Sequence, residues 1–246
     1  MTDTVRSAGI ALDVLECFAD EEELGVTEVA RRLGVSKSTA HRALTTLTSR
    51  GLVSRSPETA RYRLGMRLYE LGQLAMTRNH LRAMALPTLV QLRHASGLTV
   101  QLAIPDGADV VYTERLETNI GVALLRRTGR RLPAHTTSSG KAIAAFNPSF
   151  AEARRAAGFP PRTAFTLTTV EQWEEKLAET RRRHAAISYD EATVGVGSCA
   201  APLHGPSGEA IASVSLVGPT ESIRAQGGHL MSLVTAAAAD YERRFP

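Results

Sequence analysis

Residues 26–51 read as two short amphipathic helices joined by a glycine, and no other stretch narrows the possible folds so far. In the first helix Val29, Ala30 and Leu33 recur three to four residues apart, with Thr27 placed to cap it. Gly34 follows at the position where a left-handed residue ends a helix at the lowest conformational cost. Val35 packs across the turn and Ser36 caps the second helix. On that helix Ala40, Ala43, Leu44 and Leu47 face inward, leaving Lys37, Ser38, Thr39, His41, Arg42 and Thr46 outside. Two helices of this kind predict a helix-turn-helix whose second member enters the major groove of double-stranded DNA. The competing reading is an ordinary helical hairpin, in which periodic Ala and Leu mean only a core.

The next residues favour the first reading. Residues 52–55 alternate as a strand, 56–60 supply turn residues, and 61–64 alternate again, which predicts a β-hairpin wing. Arg55, Arg61 and Arg63 on it suit phosphate or minor-groove contact. Across residues 24–67 nine basic side chains face only Glu28 and Glu58, a net of +7, whereas the whole chain carries +4. An acidic run at 20–23 directly precedes this segment, so charge is segregated along the chain, as in a nucleic-acid footprint.

A length of 246 residues accommodates two domains, and 43% hydrophobic with 22% charged residues is ordinary for a folded soluble chain. No apolar run approaches a membrane span and no signal pattern opens the chain. Cys17 and Cys199 stand far apart, which argues against a disulfide and fits a cytoplasmic protein. The seven histidines are scattered, so no metal site or other cofactor is expected.

The spacing predicts an amphipathic helix over 7–19 ahead of the helix-turn-helix, a linker helix over 66–77, and a further helix over 79–95 that Pro87 turns or kinks. Strands are predicted over 98–104 and 110–115, joined by a hairpin at 105–109, with a third over 121–127. Helices follow over 138–146 and near 150–157. Thr169 to Gln172 forms a capping box that opens another helix, running to 184. Strands over 185–189, 198–204 and 210–218 precede a closing helix over 221–243, weakened by Gly227 and Gly228. The order describes an α+β two-domain chain, its C-terminal part built on an antiparallel sheet. The expected boundaries are a winged helix-turn-helix domain at 1–65, a linker helix at 66–79 and a second domain at 80–246.

Three stretches together resemble the IclR family of bacterial transcription regulators. They are Lys37-Ser-Thr-Ala-His-Arg-Ala-Leu44 with the wing 57–65, His135-Thr-Thr-Ser-Ser-Gly-Lys-Ala142, and Tyr189-Asp-Glu-Ala-Thr-Val-Gly195 leading to 200–202 and 214–219. The resemblance runs from the first helix to the last. It implies a C-terminal effector-binding domain of GAF-like type, homodimers or dimers of dimers, palindromic operators, and a regulator, in the first instance a repressor.

Residues 136–140 lead into a helix, so the N–H groups of Ser139, Gly140 and Lys141 can converge on an anion, with hydroxyls from Ser138 and Ser139. A small carboxylate is the natural effector. The segment is not a phosphate-binding P-loop, because His135 stands where that motif needs glycine and Ala142 where it needs a hydroxyl. Carrying the family's pocket over by motif implicates Ser138 and Ser139, then Ser198, then Ser215 and Val217, while the family's acidic position falls on Ser188. Glu191 is retained. Ser198 replaces a cysteine found in some members, and Cys199 points to the other sheet face. For each of these the alternative is plain packing, and Lys141 is equally suited to a structural ion pair.

Two other functions compete. A serine-dependent hydrolase would need an orienting acid for His135 beside Ser138 and Ser139, and no Gly-x-Ser-x-Gly elbow occurs, so no catalytic residue is assigned. A constitutive DNA-binding protein whose C-terminal domain only oligomerises is compatible with every pattern above.

Overall fold

The computed structural model describes residues 5–19, 21–77, 80–125 and 128–244. Asp20 of the acidic run, Asn79, and Arg126 and Arg127 of the expected third strand lie outside the described residues. The chain divides into two compact units, Met1–Arg78 and Asn79–Pro246.

In the first unit α1 spans Arg6–Glu16, α2 Val26–Leu33 and α3 Lys37–Ser49. Gly34 is left-handed, with φ +64°, and Ser36 Oγ accepts from the Thr39 amide at 3.2 Å. The cap of α2 is not Thr27, which sits inside the helix. Gly25 is the N-cap residue and the Glu28 carboxylate accepts from its amide at 2.7 Å. The same Glu28 carboxylate is also held by Arg61. The wing pairs β1 (Val53–Arg55) with β2 (Tyr62–Leu64) antiparallel, and the Leu24 backbone exchanges two hydrogen bonds with Tyr62 on the far side. Val14, Phe18, Val29, Ala40, Leu44 and Tyr62 share the core. The linker helix α4 spans Met66–Thr77.

The second unit begins with α5 (His80–Ser96), which runs on through Pro87, and then β3 (Thr99–Asp106) and β4 (Asp109–Leu116). The expected third strand is instead a helix, α6 (Asn119–Leu125). Its apolar sequence satisfies either period; Thr118 decides by receiving the Gly121 amide on Oγ1 and the Val122 amide on its carbonyl. A side chain at Gly121 would collide with Thr99 Oγ1, so only glycine lets α6 sit against the sheet. The sheet edge is β5 (Arg131–Pro133), followed by a 3₁₀ turn at Ala134–Thr136.

Next come α7 (Ser138–Ala145), α8 (Pro148–Ala157), α9 (Val170–Arg183), β6 (Ala186–Tyr189), β7 (Val196–His204), β8 (Ala210–Pro219) and α10 (Thr220–Arg244). Thr169 caps α9, but the Gln172 side chain accepts from Thr168 rather than closing the box on Thr169. Gly227 and Gly228 do not interrupt α10. They cost about 2 kcal/mol of helix propensity, against burial of Ile223, Leu230, Val234, Ala238 and Tyr241 on its sheet-facing stripe. The six strands are antiparallel in the order β5-β4-β3-β8-β7-β6. Strand alternation sends Val100, Leu102, Cys199, Val214 and Leu216 to the face covered by α5 and α10. Burial pushes the Cys199 thiol up to about 12, as suits an inert core residue. The opposite face carries α7 and an unusually polar set of side chains.

Candidate functional site

Two regions bring predicted residues together, one in each unit. In the first, Lys37, Ser38, His41, Arg42, Thr46, Arg55 and Arg63 are exposed and Thr39 is half-buried. Inward placement of Ala40, Leu44 and Leu47 leaves no other face for the polar residues of α3. The Ser38 and Thr39 hydroxyls meet Ser36 Oγ at 2.9 and 2.8 Å, and Thr46 Oγ1 donates to the Arg42 carbonyl. Arg55 Nε donates to the Ala60 carbonyl, and Arg63 Nε donates to Ser54 Oγ. Arg61 differs from its neighbours. Its guanidinium donates to the Glu28 carboxylate at 2.6 Å and to the Glu23 carbonyl at 3.0 Å, so it ties the wing to the start of α2. The Gly25 amide and then Arg61 hold the Glu28 carboxyl below the usual range.

In the second unit a cavity lies between the sheet and the turn that leads into α7. Its wall includes Ser188, Ser198 and Val217 from the predicted set, together with Gln101, Tyr112, Thr136 and Thr137. The free space is about 30 Å³, room for a water or two. Register explains the gathering. Thr99, Val217, Ser198 and Ser188 form one row across β3, β8, β7 and β6, each paired with the next. Ser138 Oγ donates to Ser198 Oγ at 2.8 Å, and Ser188 Oγ donates to the Thr136 carbonyl at 3.3 Å.

Ser138, Ser139, Gly140 and Ser215 are buried but are not on the cavity wall, and Ser138 reaches it only through its bond to Ser198. The expected convergence of three amides is also reduced. Thr137 Oγ1 accepts from the Gly140 amide at 2.9 Å, and its carbonyl accepts from Lys141 at 3.2 Å. Those two donors serve the helix cap, because Thr137 rather than a later residue begins α7. Gly140 has its own constraint, since a Cβ there would stand 2.2 Å from the Ala134 carbonyl oxygen.

Lys141 is buried and paired with Glu191, Nζ lying 2.6 and 2.7 Å from the two carboxylate oxygens. His135 donates from Nε2 to the Pro160 carbonyl at 3.1 Å and meets Phe159 edge-on. Burial pushes its pKa down to about 4, so the ring is neutral near pH 7, and its Nε2 is engaged by Pro160 and not by the serines it was considered to activate.

Gln101 and Tyr112 were missed from the sequence. Gln101 was visible as the one amide in a strand of mostly apolar residues, a pattern that ought to flag a polar wall. Tyr112 gave no such signal, as an aromatic residue in a strand is ordinary core.

A sequence model of the IclR helix-turn-helix domain matches residues 7–57, and one of the C-terminal region of bacterial transcriptional regulator IclR matches residues 73–243. The HTH-type transcriptional regulator XynR of Escherichia coli is 34% identical over 218 residues, covering 86% of this chain and 85% of its own. A glycerol operon regulatory protein of Streptomyces griseus is 32% identical, covering 96% and 93%. Among solved structures, an IclR homologue from Microbacterium hydrocarbonoxydans complexed with 4-hydroxybenzoate superposes with a TM-score of 0.82. Its identity is 27%, over 96% of this chain and 98% of that one.

Proposed function

This chain belongs to the IclR family of bacterial transcription regulators, and on that premise we propose that it represses transcription from a palindromic operator under control of a small carboxylate. The observation that carries the effector half is the Ser138–Ser198 hydrogen bond. It joins the start of α7 to the wall of a polar cavity, where a guest oxygen would compete for both hydroxyls. The solved relative holding 4-hydroxybenzoate supports the acid class. Any acid has to part the wall of a cavity this small, and a compact one parts it less than an aromatic one.

DNA reading is assigned to Ser38, Thr39, His41, Arg42 and Thr46 at base edges, with Lys37, Arg55 and Arg63 on phosphates. Arg61 supports the wing from behind. The effector set is Ser188, Ser198 and Val217 in contact, with Ser138 behind Ser198 and with Ser139, Gly140 and Ser215 shaping the site. Homodimers or dimers of dimers match a palindrome, and a cytoplasmic location follows from the same role. No catalytic, metal or cofactor function is assigned. Among the described residues no helix is long and apolar enough to cross a membrane.

A thermal-shift screen of the full chain against aliphatic and aromatic carboxylates tests this. A dose-dependent rise that Ser198→Ala removes, with altered operator affinity on a mobility-shift gel, is expected. No rise with any acid would overturn effector control and leave a C-terminal unit that only oligomerises.

A further inference from the structure

A second row crosses the sheet beside the cavity: Arg115, Gln101, Ser215, Ala200 and Ala186, each paired in register with the next. Side chains on a buried sheet face are apolar unless something requires otherwise. Here the β4 end of the row is a guanidinium, an amide and a hydroxyl.

Arg115 has donors only, so the Gln101 amide must turn its oxygen toward it, accepting from Nε at 2.8 Å and Nη2 at 3.2 Å. That leaves the Gln101 NH₂ directed away from the arginine, on a residue that lines the cavity and is 2% exposed. The Arg115 side chain is 7% exposed, and Glu117 stands off at 3.7 Å. Glu114 on the same strand is held by Arg82 at 2.6 Å. Burial and the nearby charge of Arg130 both disfavour the protonated guanidinium, with Glu117 opposing them. Next in the row, Ser215 Oγ is buried and has no hydrogen-bond partner among the described residues.

Resting on the effector reading above, we propose that Gln101, locked by Arg115, is a specificity-determining residue that selects an acid over its neutral counterpart. The chain of contacts runs cation, amide, anion. Accepting a bond from a cation strengthens the amide as a donor, and Nε2 donates to a carboxylate oxygen of the guest. The buried guanidinium never meets the guest but supplies the positive potential that a neutral amide ligand would not exploit.

The test uses the full chain and a panel of acetate, propionate and 4-hydroxybenzoate, each beside its primary amide, with binding read by calorimetry. Some acid of the panel is expected to bind at least tenfold more tightly than its amide. Gln101→Glu, which puts a carboxylate in place of the donor, should weaken that acid 10- to 100-fold. Gln101→Met should weaken it about tenfold and erase the preference for acid over amide. Gln101→Met carries the decision if the glutamate variant does not fold. Acid binding that both variants leave within twofold, while Ser198→Ala weakens it, would overturn the role of Gln101 and keep the pocket. If no acid of the panel binds the unaltered chain, the carboxylate reading itself fails, and the inference with it.

Discussion

Lys141 on α7 and Glu191, 50 residues later, form a buried two-point ion pair that clamps the helix to the loop after β6. Lys141 Nζ also reaches the Ile187 carbonyl at 3.4 Å. Residues 192 and 193 of that loop, with Val196 at the start of β7, lie on the cavity wall, so the clamp sets one side of the pocket without touching its interior.

Removing one partner leaves the other charge buried and uncompensated. Lys141→Met is therefore expected to destabilise the chain by about 3–5 kcal/mol. Adding Glu191→Leu should recover most of that loss, because two apolar side chains need no counter-charge. Urea unfolding of both variants checks the pair, and a double variant no better than the single would contradict it.

Gly140→Ala meets backbone, not a yielding side chain. With the Ala134 carbonyl oxygen, Cα and carbonyl carbon all within 2.6 Å of the new Cβ, α7 must shift bodily. The expected cost exceeds about 3 kcal/mol. A melting temperature within two degrees of the parent chain would show that the turn before α7 yields easily.

His135 links stability to acidity. Its folded pKa of about 4 lies below the unfolded value of about 6.5. The unfolded chain therefore takes up the proton first as pH falls. Stability is complete above about pH 6.5, declines below it, and by about pH 4 has lost about 3 kcal/mol from this residue. Urea midpoints measured between pH 7 and 4 should fall less steeply in His135→Gln. Parallel profiles would assign the acid sensitivity to other groups.

The arginines of the first unit should separate by function. Arg42→Ala is expected to lose 10- to 100-fold in operator preference over random DNA. Arg63→Ala should weaken all DNA alike and reduce the slope of log affinity against log salt by about one. Arg61→Ala should weaken binding with the slope unchanged, because its charge is spent on Glu28 and not on phosphate. Salt titrations by fluorescence anisotropy decide, and an equal slope change for Arg61 and Arg63 would contradict the assignment.

What the chain announces by itself is what acts within about four residues. Gly34, Ser36 and Thr169 end or begin their helices through contacts that close within one turn, and periodicity sorts the faces of α2 and α3. The bounds of α4 follow from the same period. Tertiary structure decided the rest, and the reason is sequence distance. Thr99 lies 22 residues before Gly121, and their close approach fixes where α6, started locally by Thr118, packs against the sheet. Arg61 reaches back 33 residues to Glu28, and Ser138 forward 60 residues to Ser198. Gln101 becomes a candidate for reading a guest only because β4 folds back and sets Arg115 beside it. A side chain's partner is chosen by strand register and burial, and these exist only once the whole sheet has closed.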